Sequence, residues 1–353
     1  MPDTPAPLSP PQIDPTLIFE HFRGSFATEL LTAAVAHFDL FRHLAERPQS
    51  RDELAAALQL AARPTVVLTT ALRGMQLLEV DTAGRLALTP MAREHLVPGG
   101  EFYVGDYVGL AAEAPGVLGM VERLRTNRPY GAAEQDAKGT AFIYREGTPS
   151  AMEAEASARR LTLALAGRAK NVAPVLAERL IVGDAQTLLD LGGGTGIYSI
   201  ALLRRHPRLK AVVFDRPEVL KVAAEMAADY GVADRVELCA GDMFVDALPK
   251  GVDLVLLSNI LHDWDVPECR NLVDRAAAAL QPGGRVVIHD VFLNDELDGP
   301  LPIALYSAAL FALTEGRAYS AAEYREMLQA AGLSPSAVAQ TLIHCGLLEG
   351  AKP

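Results

Sequence analysis

The run T-L-L-D-L-G-G-G-T-G-I, Thr187 to Ile197, restricts what this chain can fold into more than any other stretch. A short apolar segment, Thr187 to Leu191, carries an acid near its end at Asp190. Gly192, Gly193, Gly194 and Gly196 then crowd the next five positions, and Tyr198 to Arg205 follows in a helical pattern. Strand, glycine turn and helix in that order bring the N–H groups of a helix N-terminus against a ligand, because glycine has no Cβ to hold it away. A dinucleotide turn of the form G-x-G-x-x-G would need glycine at 197, where Ile197 stands. A P-loop would need Lys and then Ser or Thr after the last glycine, and neither follows. What remains is G-x-G-x-G behind an acidic strand end. A carboxylate at Asp190 repels a phosphate but can face a sulfonium or an ammonium group.

From Ala185 onward, strands and helices alternate, which predicts an α/β fold with a parallel, doubly wound sheet. The second strand, A-V-V-F-D, ends at Asp215, about twenty residues past the glycine turn, where an acid accepts the hydroxyls of a ribose. The third, R-V-E-L-C-A, leads to Gly241-Asp242-Met243-Phe244. There Asp242 can accept from an adenine amino group while Met243 and Phe244 cover the ring faces. The fourth, D-L-V-L-L-S-N, ends at Ser258 and Asn259. Leu261-His262-Asp263-Trp264-Asp265 comes next, and Asp265 with Pro267 and Glu268 forms a helix start. His262 is thereby pinned just past a strand's C-terminal end, the edge on which such sheets bind ligands. A fifth strand, R-V-V-I-H-D, delivers His289 and Asp290.

The glycine turn, the G-D-M-F run and the L-H-D-W run together resemble the class I S-adenosylmethionine (SAM) O-methyltransferases of plant and bacterial small-molecule metabolism. The resemblance extends over about Leu17 to Leu348. It implies a Rossmann-like methyltransferase sheet that binds SAM through Asp190, Gly192, Gly194, Asp215, Asp242, Met243, Phe244 and Ser258, the last at the methionine end. It further implies that His262 is the general base and that Asp290 orients it, in place of the family's Glu. The family's second flanking Glu is not reproduced: its place is held by Ala318, with Glu315 nearby. The implied acceptor is a small aromatic phenol, and no metal is called for. Alternatives within the fold are methylation of carbon or nitrogen, metal-assisted through His262, Asp263, His289 and Asp290, or non-methylating chemistry on SAM.

The N-terminal third reads differently. Residues 1–14 are Pro-rich and suggest a disordered tail with no signal-peptide character. From Leu17 to about Val97 the pattern is helical, with a capping box at Ser50 to Glu53, a helix from about Arg63 to Met75, and a hairpin from Leu77 to Leu88 turning at Gly84. Helices plus a wing suggest DNA binding, but the candidate recognition helix carries only Arg63 and Arg73 as basic residues, and the net charge is −12. The segment, including H-F-D-L-F-R-H-L from His37 to Leu44, resembles the winged-helix dimerisation domain of the same O-methyltransferases. That implies a homodimer in which Leu17 to Phe26 reaches across.

The expected organisation is a tail (1–14), a mainly helical dimerisation domain (15–105), a helical connector roofing the acceptor pocket (106–175) and a SAM-binding domain (176–353). The stretch from 101 to 175 holds Phe102, Tyr103, Tyr107, Met120, Phe142, Tyr144 and Met152, and Leu301 to Leu313 is expected to floor the pocket. Cys239, Cys269 and Cys345 form no framework, which suits a reducing cytoplasm, and no apolar run reaches membrane-spanning length. Neither nucleic acid nor membrane is an expected partner.

Overall fold

The computed structural model describes residues 5–128 and 155–353. Phe142, Tyr144 and Met152 lie outside the described residues. The chain divides into two compact units. One holds Ile18–Tyr144 and Leu293–Ser320; the other holds Met1–Leu17, Arg145–Phe292 and Ala321–Pro353.

Among its described residues the first unit is mainly helical, with a hairpin and the short strand Tyr319–Ser320. Its helices are α1 (Thr16–Arg23), α2 (Ser25–Thr32), α3 (Leu40–Glu46), α4 (Arg51–Leu58), α5 (Ala62–Gly74), α6 (Pro90–His95), α7 (Gly105–Gly109) and α8 (Pro115–Thr126), with a π-helical turn at Ala33–His37. The Ser50 capping box forms: its hydroxyl accepts from the Glu53 N–H, and the Glu53 carboxylate accepts from the Ser50 N–H. Strands β1 (Leu78–Val80) and β2 (Leu86–Leu88) pair antiparallel, and Gly84 turns between them with φ +75°.

Leu301–Leu313 also belongs to this unit and is apolar on every face, as a core helix is. It packs on α5, where a Cβ at Gly74 would lie 3.4 Å from Leu301 Cα, an ordinary van der Waals contact. Among the described residues no single helix is long and apolar enough to cross a membrane.

Both basic residues of the candidate recognition helix turn inward. Arg63 is buried, donates to the Thr314 and Gly316 carbonyls and to Asn127, and lies over the Phe311 ring. The Arg73 side chain is 8% exposed and donates to the Glu296 carbonyl. Neither guanidinium is available to a phosphate backbone.

The second unit contains the sheet. Its long helix α9 (Glu155–Arg179) precedes β3 (Thr187–Leu191), α10 (Ile197–Arg205), β4 (Lys210–Asp215), α11 (Pro217–Asp229), β5 (Val236–Ala240), β6 (Val252–Ser258), α12 (Val266–Ala279) and β7 (Leu280–Leu293). The parallel order is β5-β4-β3-β6-β7, and the strand Cys345–Ala351 adds antiparallel to β7. Ala339–Gln340 pairs antiparallel with Cys345–Ala351 and closes a C-terminal hairpin.

The order reverses beside β3, so the C-terminal ends of β3 and β6 flank a topological switch point, where ligands bind in such sheets. Within β7 the pairing with β6 jumps from Leu280–Val252 to Arg285–Leu254, and Gly283 takes φ +77°, so Gln281 to Gly284 bulge out of the ladder.

Candidate active site

At the end of β3, Asp190 is buried under its own glycine turn. Its Oδ2 accepts from the Ser199 hydroxyl on α10 at 2.7 Å. Burial, with the Asp215 charge adding and Ser199 opposing, pushes the Asp190 carboxyl up to about 6. A Cβ on Gly193 would sit 2.8 Å from the Asp190 carboxyl carbon and 2.9 Å from Val213 Cγ1. The turn therefore closes over the acid only with glycine at that position.

The raised value has a consequence for stability. A carboxyl whose folded value of about 6 exceeds its unfolded one stabilises the fold when protonated. That contribution is complete below about pH 4 and is lost as pH rises through the folded value. Asp190→Asn, which keeps an acceptor for Ser199, is expected to be more stable than wild type above pH 6, by up to about 3 kcal/mol, and equal to it near pH 4. Thermal melts from pH 4 to 8 measure this; a variant less stable at pH 8 would mean the ionised acid is stabilising.

Asp215 and Asp242 close the next two strands. Asp215 accepts the Gly194 N–H at 2.8 Å on Oδ2 and the Arg216 N–H at 2.7 Å on Oδ1, while burial raises its carboxyl. Asp242 accepts the Phe244 N–H at 2.8 Å, which tightens the turn carrying Met243. A Cβ on Gly192 would meet Ile260 Cδ1 at 2.6 Å and lie 3.7 Å from Met243 Sδ. The glycine turn, the G-D-M-F turn and the chain after β6 thus converge on one place. Phe244 is buried edge-on against Trp264, with centroids 4.6 Å apart.

Ser258 ends β6 with its hydroxyl 2.8 Å from His289 Nδ1 and within reach of Asn259 Nδ2. His289 Nε2 lies 3.1 Å from the Thr341 hydroxyl, and burial, reinforced by the Arg168 charge, takes this imidazole down to about 3. His289 is a neutral hydrogen-bonding post between two hydroxyls. Asn259 turns the backbone in the left-handed region at φ 55°, which Asn tolerates better than most residues. Its amide is held by Arg168 Nη1 at 2.8 Å and Tyr198 Oη at 3.1 Å. That bend sends the chain into the 3₁₀ turn Leu261–Asp263.

In this turn His262 is buried, and its Nδ1 lies 2.6 Å from Asp290 Oδ1 on β7. A carboxylate there can only accept, so Nδ1 holds the hydrogen and the lone pair of the neutral ring is on Nε2. Burial alone would lower the imidazole; the Asp290 and Asp263 carboxylates outweigh it and raise the ring above its ordinary value. Asp263 Oδ1 stands 3.7 Å from Nε2, and burial, with Asp290 adding, pushes Asp263 up to about 7. The Val291 N–H also donates to Asp290 Oδ1, and the Tyr324 hydroxyl to its Oδ2.

The structure thus brings His262 and Asp290 into contact and sets the three strand-end acids along one sheet edge. Sequence reasoning missed Ser199, Arg168, Asn259, His289 as a post, and Tyr324. Ser199 alone had a local signal, a hydroxyl in the first turn after the glycines. In the first unit Ala318 is buried, its N–H donated to the Ser307 hydroxyl.

A doubly wound sheet with this edge defines a class I methyltransferase. The donor set fits the cofactor: acids and a thioether surround the glycine turn, which suits an adenosyl sulfonium with its hydroxyls and ammonium and disfavours a phosphate. Comparison with known proteins agrees, and the chain belongs to the O-methyltransferase family, whose O-methyltransferase domain matches residues 137–334. It is a SAM-dependent O-methyltransferase.

An O-methyltransferase family 2 protein from Planctomyces limnophilus, solved in complex with apigenin, is 48% identical at TM-score 0.88, with 98% of each chain covered. The 3-hydroxy-5-methyl-1-naphthoate 3-O-methyltransferase of Streptomyces sahachiroi is 36% identical over 92% of this chain and 91% of its own. The L-tyrosine C(3)-methyltransferase of Streptomyces lavendulae is 31% identical over 88% and 85%.

Proposed function

We propose that the chain methylates a hydroxyl of a small aromatic acceptor, with His262 as general base and Asp290 as the group that orients it. The observation that carries this reading is the 2.6 Å contact from His262 Nδ1 to Asp290 Oδ1, which leaves Nε2 as the basic nitrogen at the ligand edge of the sheet. Bound SAM supplies an electrophilic methyl group on a sulfonium. Asp215 is suited to the ribose hydroxyls, Asp242 and Met243 to the adenine, Gly192 and Gly194 to close backbone approach, and Ser258 to the methionine end. Asp190 and Phe244 act beneath the ligand surface: Asp190 braces the glycine turn through Ser199, and Phe244 backs Met243 from its packing on Trp264.

A phenol near pKa ~10 giving its proton to an unperturbed imidazole near ~6.5 is uphill by roughly 5 kcal/mol. The carboxylates that raise His262 reduce that gap. Proton removal concerted with methyl transfer avoids the remainder. Alignment of acceptor oxygen, methyl and sulfur provides most of the rate, on the order of 7–11 kcal/mol for orientation of this kind.

Flat phenolic or naphthoic ligands named for two of the relatives support an aromatic acceptor. Incubation with methyl-labelled SAM and a phenol panel, followed by product mass and NMR, tests the reading; label only on carbon would instead favour C-methylation, the activity named for a third relative. The metal-assisted alternative needs converging ligands, whereas His289 faces Ser258 and Thr341 and His262 faces Asp290.

The working form is a homodimer built through the N-terminal helices. Leu17, Ile18 and Phe22 on α1 are 63%, 69% and 82% exposed, an apolar surface that a second copy would cover. Phe22→Glu is expected to convert the dimer to monomer in sedimentation, and a wild-type monomer at micromolar concentration would end the proposal. The compartment is the cytoplasm, in keeping with three free cysteines.

A further inference from the structure

The His262–Asp290 pair is braced from a third element. Tyr324, on the helix Ala321–Ala330, has no exposed surface, packs edge-on against Phe292, and directs its hydroxyl at Asp290 Oδ2, 3.3 Å away. Asp290 is itself fully buried. Its Oδ1 is occupied by His262 Nδ1 at 2.6 Å and by the Val291 N–H at 2.8 Å, which leaves Oδ2 as the oxygen Tyr324 serves. From this geometry we infer that Tyr324 is a positioning residue for the methyl-transfer reaction, acting through Asp290 on the protonation and orientation of His262. The inference rests on the reading of His262 as base.

Two effects follow from the placement. Donors on both oxygens fix the carboxylate plane, so Oδ1 stays aimed at Nδ1 and the imidazole cannot swing. The Tyr324 bond is also stronger to a bare carboxylate than to one already neutralised by an imidazolium. It therefore favours the state with a neutral, proton-accepting ring and opposes the upward pull of Asp290 on His262. The other charged groups acting on the ring are Asp263 on its own turn and Arg168 on α9. The tyrosine hydroxyl acts on the balance that these groups set.

Tyr324→Phe removes one oxygen and leaves the packing against Phe292, so a thermal melt is expected to report a folded protein. Its kcat should fall about fivefold to twentyfold with the KM for SAM unchanged. The acid limb of kcat against pH should move upward by half a unit or more. In an Asp290→Asn background the same change should have no further effect. A Tyr324→Phe enzyme with kcat within twofold of wild type and an unmoved acid limb would overturn the inference, as would an equal loss on top of Asp290→Asn. His262→Ala measured alongside separates the two readings: if it abolishes turnover while Tyr324→Phe does nothing, only the tyrosine's role falls, and if it is harmless, the base assignment falls first.

Discussion

His262→Ala is expected to lower turnover by about 10²–10⁴-fold, the range for losing a positioned general base, with SAM affinity close to wild type. The imidazole sits in the turn after β6 and is held by Asp290 on β7, so its loss removes proton acceptance and leaves the glycine turn after β3 as it is. Asp290 keeps its Val291 and Tyr324 donors in the variant, so the buried acid is not stranded and the protein should fold. In the wild-type enzyme the acid limb of kcat should fall above the ordinary imidazole value, because Asp290 and Asp263 raise the ring. The limb should vanish in the variant together with the rate. Single-turnover kinetics with a saturating acceptor measure both, and unchanged turnover would remove His262 from the chemistry.

Gly193→Ala is expected to weaken SAM binding at least tenfold and to cost about 1–3 kcal/mol of stability, as overpacking of a tight site does. The added methyl would meet the Asp190 carboxyl at 2.8 Å and Val213 Cγ1 at 2.9 Å. Asp190 cannot retreat, since Ser199 holds it at 2.7 Å, and Val213 lies in β4, flanked by β3 and β5. The strain must therefore go into the turn, which carries the Gly194 N–H to Asp215. Calorimetric titration with SAM beside a thermal melt gives both quantities. A variant that binds like wild type would show that the turn does not touch the cofactor.

The strand-end acids, the glycine turn and the helix start at Asp265 were legible because each is a local pattern: a short apolar run, a residue with no Cβ, a side chain that caps its own helix. The Asp265 side chain does accept from the Val266 N–H. The pairing of His262 with Asp290 was legible only through resemblance, since 28 residues separate them and no periodicity connects the end of β6 with the end of β7. Tyr324 had no signal at all. A tyrosine in a helix reads as packing until the helix is laid against the sheet.

Local chemistry in the sequence determined the parallel sheet, its ligand edge and the kind of ligand that edge accepts, because strand periodicity, glycine and acid placement act over a few residues. Tertiary structure alone decided that Arg63 and Arg73 point inward and away from any nucleic acid, that Leu293–Ser320 joins the N-terminal helices, and that His289 is a neutral post. Each of those outcomes depends on burial and on partners far away in the chain, and desolvation has no value until the groups that exclude water are in place.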